Sequence, residues 1–200
     1  IKAKLLTTKR ALSEHHAISD ADGVYQKPSD FLDDLTALHE SLLSHKADSI
    51  ASGRLRSLRR AVDCFGFHLA AVDLRQNSKV HEAVVADLFG KALPNLDYRA
   101  LPENEKIELL LKELQSPRLL YSPHLSYSDE TRSERAVFTS AADILRRFGP
   151  VAIENFIISK AETVSDLLEL ALLLKEVGLV DHHGRSHVNI VPLFETIDDL

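Results

Sequence analysis

The sequence has little of what marks secreted, disulfide-bonded or membrane proteins. Among its 200 residues there is a single cysteine, Cys64, and no methionine. One cysteine cannot form an internal disulfide, which favours a reducing compartment, and the neighbouring Phe65 predicts that Cys64 is a small buried hydrophobe. No apolar run is long enough to cross a membrane, and the basic first residues lack the apolar core of a signal peptide. We therefore predict a cytoplasmic protein with no membrane partner.

Several motifs that carry chemistry are also missing. The chain has no Gly-rich loop that could cradle a phosphate and no Gly-x-Ser-x-Gly elbow. His81 and Glu82 lack the second histidine of a zinc-protease helix. The histidines within 15–16 and 181–187 have neither companion cysteines nor His-x-x-x-His spacing, so we expect them in solvated loops rather than in a zinc site.

The composition is that of a globular, helix-rich chain of about one domain. It is 44% hydrophobic and 27% charged, with 7 glycines and 7 prolines, which argues against disorder. A net charge of −6 gives no reason to expect nucleic acid as a partner. The segment "GRLRSLRR", residues 53–60, places four arginines in one predicted helical stretch. It is typical of a solvated helix face, with a phosphate-binding or interface patch as the alternatives.

Helical patterns fill the first third of the chain. Ser29 is a candidate N-cap for a helix with early acidic residues. A second helix is predicted from about Asp48 to Phe65, ending at Gly66 in a left-handed cap. The apolar positions of the two helices recur at three- and four-residue spacing and predict faces turned to a core: Phe31, Leu35, Leu38, Leu42, Ile50, Leu55, Leu58 and Val62.

The rest of the chain repeats a strand–helix layout. The buried strands are predicted at Phe67–Leu74, 152–159 and 188–194. The first is followed by a helix that begins at Asn77 or Ser78 and is closed by Gly90, and the second by a helix capped by Thr163 or Ser165 that ends at Gly178. The third precedes a helix start within 195–200, and two more helices are expected at about 103–114 and 129–148. This alternation predicts parallel strands joined by right-handed crossovers.

In parallel α/β proteins the functional side chains gather where strands end. The predicted strands end at Asp73, Arg75, Gln76 and Asn77, then at Ser159, Lys160 and Glu162, and finally at Leu193, Glu195 and Thr196. A guanidinium at one end and a carboxylate at another could hold a phosphate ester through a divalent cation. The same pair, Arg75 and Glu195, could equally be a structural ion pair or helix-capping groups.

Three segments together resemble one enzyme family. They are "LRRAVDCFGFHLAAVDLRQNSKVHE", "FIISKAETVSDLLELALLLKEVGL" and "IVPLFETIDDL", and their order and approximate spacing match the middle of bacterial phosphoenolpyruvate carboxylase. Weaker similarity covers essentially the whole chain. The resemblance implies a long, mostly helical enzyme built around a barrel of eight strands. It also implies phosphoenolpyruvate and bicarbonate as substrates, oxaloacetate and phosphate as products, Mg²⁺ or Mn²⁺ as cofactor, and a homo-oligomer, a tetramer in the intact enzyme.

The resemblance also implies roles for three residues. Arg75 in "DLRQN" corresponds to an arginine beside the substrate phosphate, and it is the predicted catalytic residue. Glu195 in "LFET" corresponds to a carboxylate ligand of the divalent metal, and Leu193 to part of the apolar pocket around the substrate methylene carbon. In the family mechanism a phosphoryl group is transferred to bicarbonate and the enolate attacks CO₂. An arginine can stabilise the negative charge on the transferred phosphoryl group, and a metal ion held by a carboxylate can stabilise the enolate oxygen.

Other parts of the family pattern have no match in the sequence. These are the Gly-rich loop with its catalytic arginine, the catalytic histidine segment, the second acidic metal ligand and the aspartate-binding inhibitory site. Together with the missing methionine and the lack of a helix stop signal after Asp199, this indicates an internal fragment that is inactive alone. We expect a predominantly helical α/β fold: a partial TIM-like (β/α) barrel over 1–200, with a helical segment 1–66, strand–helix units 67–200 and about three parallel strands. An open strand edge should be covered by helices or promote oligomerisation.

Two other functions are compatible with parts of the sequence. The first is a helical interaction module that uses the basic segment 53–60 to bind an acidic partner, without catalysis. The second is a different metal-dependent enzyme that acts on phosphorylated enols. The position of two side chains distinguishes the module from the carboxylase, because the carboxylase requires Arg75 and Glu195 to face one site.

Overall fold

The structure is a computed structural model that describes residues 1–13 and 23–196. The chain divides into two compact units. The first comprises Ile1–Ala71 with Arg147–Gly149, and the second Val72–Arg146 with Pro150–Leu200. Over the described ranges, no helix is both long enough and apolar enough to cross a membrane.

The first unit is helical. Its elements are α1 (Lys2–Ser13), α2 (Pro28–Ser44), a single turn α3 (Asp48–Ile50) and α4 (Arg56–Phe65). A small core joins α2 to α4 and is made by Tyr25, Phe31, Leu35 and Val62. The predicted core positions Leu38, Ile50 and Leu58 are instead exposed, because the buried residues of this small core lie only in the first half of α2 and the second half of α4.

The start of α2 differs from the prediction by two residues. Its N-cap is Lys27 rather than Ser29, and the Asp30 carboxylate accepts a hydrogen bond from the Lys27 backbone N–H at 3.1 Å. Pro28 explains the difference, because a proline has a helical φ and no N–H to leave unpaired, which makes it a favourable first helical residue. Ser29 therefore lies inside the first turn.

The helix predicted from Asp48 to Phe65 is interrupted at Gly53. The backbone there has φ −85° and ψ −128°, outside the helical region, and the segment Ala51–Leu55 separates α3 from α4. The arginines of residues 53–60 therefore do not form one continuous helical face, contrary to the prediction. The predicted end at Gly66 is confirmed, since this residue follows α4 with φ +51°.

Cys64 is exposed, so the prediction of a buried hydrophobe is wrong. The reason is the helical period of α4. Val62 faces the core, and a residue two positions further along an α-helix points roughly 200° away around the axis. The apolar neighbour Phe65 misled the prediction because it is itself half exposed.

The second unit is built on a three-stranded parallel sheet. The strands β1 (Val72–Asn77), β2 (Ile153–Ser159) and β3 (Asn189–Pro192) lie in the order β1-β2-β3. In the register, Arg75 is opposite Ile157, and Ile157 is opposite Val191. The prediction of a helix-rich α/β fold with parallel strands is confirmed, and all three strands end at the same edge of the sheet.

Helices cover one face of this sheet. They are α5 (Ser78–Ala92), α6 (Glu103–Gln115), α7 (Asp129–Phe148) and α8 (Val164–Lys175). Phe156 and Ile158 of β2 are fully buried against this layer, in a core to which α5 and α8 contribute four buried residues each. Alternate residues of a strand point to opposite faces, so Asp73, Arg75 and Asn155 share the other face.

The first strand starts later than predicted. Residues 67–71 form turns, Leu69 has φ +67° and 78% exposure, and β1 begins only at Val72. The partner strand explains the shift, because β2 starts at Ile153, which pairs with Val72. Apolar residues before that point have no strand to pair with. Arg75 therefore lies within the strand, near its end, rather than beyond it.

The ends of the helices were predicted with mixed success. The Asn77 side chain caps α5 by accepting a hydrogen bond from the Lys79 N–H at 3.0 Å, as predicted. Gly90 does not close that helix, which continues to Ala92, and Gly90 does not adopt the positive φ of a left-handed cap.

The helix that follows β2 agrees more closely with its prediction. Thr163 is the N-cap of α8, and its N–H donates to the Asp166 carboxylate at 2.9 Å. Gly178 follows the end of α8 with φ +78°. The predicted helix start within 195–200 and the histidines at 15–16 lie outside the described residues.

A strained backbone residue lies directly after β2. Lys160 has φ +53°, which costs an L-residue with a Cβ about 1–2 kcal/mol. We expect Lys160→Gly to leave the free energy of unfolding unchanged or to raise it by up to about 1 kcal/mol, because glycine has no such cost. The matched change Lys112→Gly, on the exposed side of α6, should lower it by about 1 kcal/mol. Urea unfolding of both variants checks this, and equal destabilisation would show that Lys160 is not strained.

Candidate functional site

Arg75 and Glu195 meet at the carboxyl edge of the sheet. The Arg75 Nη2 donates to Glu195 Oε1 at 3.3 Å, and the Arg75 Nε donates to the Ser159 hydroxyl oxygen at 2.7 Å. One guanidinium thus joins residues that come from the ends of all three strand segments. The ion pair that the sequence left open as an alternative is present, and it lies where the functional side chains of parallel α/β proteins gather.

The strand geometry explains why Arg75 points to this site. Leu74 packs against the helical core, and the next residue of a strand points to the other face of the sheet. Register then places Asn77 opposite Ser159, so the Ser159 hydroxyl lies within reach of the long arginine side chain.

The Arg75–Glu195 pair remains accessible. The Arg75 side chain is 58% exposed and that of Glu195 is 35% exposed. An ion pair with this exposure contributes about 0–1 kcal/mol, so exchanging it for contacts with a ligand costs little. The geometry therefore suits a site whose charged groups must change partners when an anion and a cation bind.

Leu193 holds the end of β3 in place through its backbone. Its N–H donates to the Ile158 carbonyl at 2.8 Å, and its carbonyl accepts from the Ala161 N–H at 3.2 Å. The Leu193 side chain is half-buried. These bonds fix the chain two residues before Glu195, which limits where the Glu195 carboxylate can go.

A second link ties the β2–α8 loop to the start of α5. The buried Ser78 hydroxyl donates to the Lys160 carbonyl at 2.6 Å. Together with the bond between Ala161 and Leu193, it holds the residues after β2 from both sides. The loop that follows Ser159 is therefore attached to the segments on both sides of β2.

The same face of the sheet carries a polar row at its amino end. The Asn155 amide donates to the Asp73 carboxylate at 2.9 Å, and the Asn189 amide donates to the Asn155 oxygen at 3.1 Å. These side chains link β1, β2 and β3 across the face opposite the helices. Polar side chains thus occupy both ends of this face, and Ile157 and Val191 lie between them.

The sequence did not single out Ser159 as a site residue with a role. It appeared only as one of the residues at the end of a predicted strand. The sequence feature that indicates such a role is a hydroxyl residue at the end of an apolar run, here the serine of "FIIS". In the structure Ser159 is 9% exposed. Buried hydroxyls are nearly always hydrogen-bonded.

A buried carboxyl group lies away from this edge and was also missed. Glu169 of α8 is 1% exposed and accepts a hydrogen bond from the Tyr98 hydroxyl at 2.8 Å. The pKa of Glu169 is raised to about 8, chiefly by burial and also by the charges of Asp166 and Glu82, while the Tyr98 hydrogen bond and Lys106 act in the opposite direction. The side chain therefore holds a proton at neutral pH.

The donor chemistry of the site fits a hard divalent cation in part. Glu195 offers carboxylate oxygens, and Mg²⁺ is commonly held by one or two carboxylates together with substrate oxygens and water. In the portion of the chain that the structure describes, no three His, Cys, Asp or Glu side chains are grouped to hold a metal. His182, His183 and His187 are exposed, as predicted for a solvated loop.

Comparisons with known proteins agree on one family. A family model described as phosphoenolpyruvate carboxylase matches residues 1–200. A phosphoenolpyruvate carboxylase of Rhodopseudomonas palustris (strain BisA53) is 57% identical over 88% of this chain and 19% of its own length. Those of Aromatoleum aromaticum and Azorhizobium caulinodans are 52% and 54% identical, over 100% and 92% of this chain and 22% and 20% of their own lengths. The chain spans about a fifth of these relatives, and it belongs to the phosphoenolpyruvate carboxylase family.

Proposed function

We propose that the chain is a segment of an enzyme that adds bicarbonate to phosphoenolpyruvate and forms oxaloacetate and phosphate. The observation that carries this proposal is the pairing of Arg75 with Glu195 at the carboxyl edge of a parallel sheet. Arginine is a residue type that binds phosphate and glutamate one that binds divalent cations, and the two side chains meet here in a member of this family. This segment supplies part of the active site, and other segments of the longer enzyme supply the rest.

In this proposal Arg75 binds the phosphoryl group of the substrate. Its fork of N–H donors matches phosphate oxygens, and its fixed charge stabilises the negative charge that spreads over the phosphoryl group during transfer. The reaction breaks the bond between phosphorus and the enol oxygen while a bicarbonate oxygen bonds to phosphorus. In the carboxyphosphate so formed, the bond between the carboxyl carbon and the phosphate oxygen breaks, which releases CO₂ and phosphate. The enolate carbon then bonds to this CO₂ and gives oxaloacetate. Leu193 contributes apolar surface beside the reacting methylene carbon and limits access of water that would protonate it.

Glu195 is the residue of this chain that would hold Mg²⁺ or Mn²⁺. A bound divalent cation supplies positive charge that stabilises the developing enolate oxygen. For Glu195 to bind a cation, its carboxylate must turn partly away from Arg75, which the low cost of breaking an exposed pair allows.

We further propose that the three-stranded sheet is part of a (β/α) barrel. Its strands are parallel and adjacent in chain order, as in such barrels, whereas doubly wound sheets reverse their order at a switch point. Helices cover one face, and the other carries Asp73, Arg75, Asn155 and Ser159, which would face the barrel interior. We also propose that the longer enzyme is cytoplasmic and that it is a homo-oligomer. Sedimentation of the full-length protein tests the oligomeric state.

A chimeric enzyme tests the proposed function. The corresponding segment of the full-length Rhodopseudomonas palustris enzyme is replaced by this chain, and oxaloacetate formation is followed by coupled NADH oxidation. We expect turnover by the chimera and none by the isolated 200-residue chain, because the chain spans only about a fifth of its relatives. A folded chimera without turnover contradicts the proposal. Turnover by the isolated chain near the enzyme median of about 10 s⁻¹ contradicts the need for other segments.

A further inference from the structure

The hydroxyl group of Ser159 holds the guanidinium of Arg75 independently of Glu195. Of the two contacts that the Arg75 side chain makes at the strand edge, the bond to Ser159 is the shorter, at 2.7 Å against 3.3 Å. The two contacts use different nitrogens, Nε for Ser159 and Nη2 for Glu195. If the contact with Glu195 is lost, the hydrogen bond from Arg75 Nε to Ser159 can therefore remain as it is.

The Ser159 hydroxyl is itself fixed in space. Its residue pairs with Asn77 in the sheet and is 9% exposed. The next two residues are tied on both sides, by the Ser78 hydroxyl at the Lys160 carbonyl and by the Ala161 N–H at the Leu193 carbonyl. An arginine bonded to this hydroxyl is thus bonded to a rigid part of the sheet.

Glu195 is a more exposed partner of Arg75 than Ser159 is. Its side chain is 35% exposed, and its residue lies three positions beyond the last residue of β3. In the proposed function, its carboxylate also turns to a cation when the site is loaded. During the reaction Ser159 is then the partner that keeps the guanidinium in place.

We propose that Ser159 is a positioning residue for phosphate binding: its hydroxyl oxygen accepts the Arg75 Nε–H and leaves the two terminal nitrogens of the guanidinium to face the substrate phosphoryl group. This inference rests on the proposed function for its effect on catalysis, but the hold on Arg75 is a property of the chain itself. Preorganised donors of this kind act on charge that develops in the transition state without having to reorient.

The hold on Arg75 is measured on the 200-residue chain by NMR. The Nε–H resonance of Arg75 is assigned from its loss in Arg75→Lys, and its exchange with water is compared in three variants. We expect Ser159→Ala to speed this exchange about tenfold or more, since it removes a hydrogen bond to a charged group. Ser159→Thr retains the hydroxyl and should keep exchange slow. Thr131→Val, which removes a buried hydroxyl bonded to Asp87, should leave the Arg75 exchange unchanged.

The effect on catalysis is measured in the chimera. Ser159→Ala should lower kcat/KM for phosphoenolpyruvate about tenfold while Ser159→Thr retains most of it. In an Arg75→Ala background, Ser159→Ala should have less than about a twofold further effect, because coupled residues are not additive. A merely structural role would instead lower the melting temperature and give the same loss in both backgrounds.

The outcomes separate the two proposals. If exchange of the Arg75 Nε–H is the same in Ser159→Ala and in the unchanged chain, the positioning role is wrong, whatever the chimera does. If exchange responds as expected but the unmodified chimera makes no oxaloacetate, the proposed function is wrong while the hold of Ser159 on Arg75 stands. If the chimera is active and Ser159→Ala retains full kcat/KM, the hold exists but does not serve phosphate binding, which overturns the inference.

Discussion

Arg75→Ala in the chimeric enzyme should lower kcat/KM for phosphoenolpyruvate by about 10²–10³-fold, the usual effect of removing one preorganised donor to transition-state charge. Arg75→Lys should recover only part of this loss. A lysine keeps the charge but lacks the planar fork and the Nε–H that bonds to Ser159. Initial-rate measurements over a range of phosphoenolpyruvate concentrations give the values. Arg99→Ala, at an exposed arginine of the same unit, is the matched control and should keep full activity.

Glu195→Gln should lower the activity of the chimera by a similar factor, but this loss should depend on the concentration of the divalent cation. An amide retains the shape of the side chain but is a poor ligand for a divalent cation, so the loss should appear as a higher Mn²⁺ concentration needed for half-maximal rate. Arg75→Ala should not shift that concentration by more than a few-fold. Equal activity of Glu195→Gln and the unchanged segment at every metal concentration would remove Glu195 from the proposed metal site.

The free energy of unfolding should fall as pH rises from about 6.5 to 8, because of Glu169. Its folded-state pKa is raised to about 8 by burial, whereas the ordinary value is 4.5. Between these values the folded chain holds a proton that the unfolded chain has lost. Stability therefore falls with rising pH, by about 1.4 kcal/mol per pH unit at most. Above pH 8 both states are ionised and the decline ends.

Another buried group opposes this effect at lower pH. Burial lowers the pKa of His81 to about 4, against an ordinary value of 6.5, so the unfolded chain binds the extra proton between these values. That contribution makes stability rise with pH up to about 6.5, which offsets the fall caused by Glu169. The effect of Glu169 is thus unopposed by His81 only above pH 6.5.

Urea unfolding of Glu169→Gln between pH 5 and 9 isolates this contribution. The amide oxygen still accepts from the Tyr98 hydroxyl, but the side chain no longer titrates. Relative to the unchanged chain, this variant should gain stability progressively up to pH 8 and then stay level. Glu105→Gln, at an exposed position of α6, is the control and should show the same pH dependence as the unchanged chain. A parallel pH dependence in Glu169→Gln would mean that Glu169 is ionised in the folded state.

Local chemistry made several elements predictable from the sequence. The run "NFIIS" has the length and composition of a buried strand, and Thr163 followed three residues later by Asp166 is a helix start that needs no distant partner. The strand β2 and the helices α6, α7 and α8 accordingly lie close to their predicted positions. Parallel strands then bring their carboxyl ends to one edge, which is why the sequence could predict that Arg75 and Glu195 meet.

Other features depend on contacts that a sequence pattern does not contain. The start of β1 is set by where β2 begins, and the exposure of Cys64 by which side of α4 faces the small core. Gly90 continues a helix without a positive φ, although glycine often ends one in the left-handed region. The role of Ser159 depends on a side chain from another strand, so its position in a predicted strand did not reveal it.

The most direct test is whether a divalent cation and a phosphoenol bind together beside Arg75. ¹⁵N-labelled chain is titrated with Mn²⁺ in the presence of phosphoenolpyruvate, and paramagnetic broadening of the arginine Nε–H resonances is recorded. If Arg75 and Glu195 form one substrate and metal site, the Arg75 resonance broadens selectively, and Glu195→Gln abolishes the effect. Broadening confined to other parts of the chain, such as the exposed histidines 182 and 183, with the Arg75 resonance unaffected, would contradict a shared site.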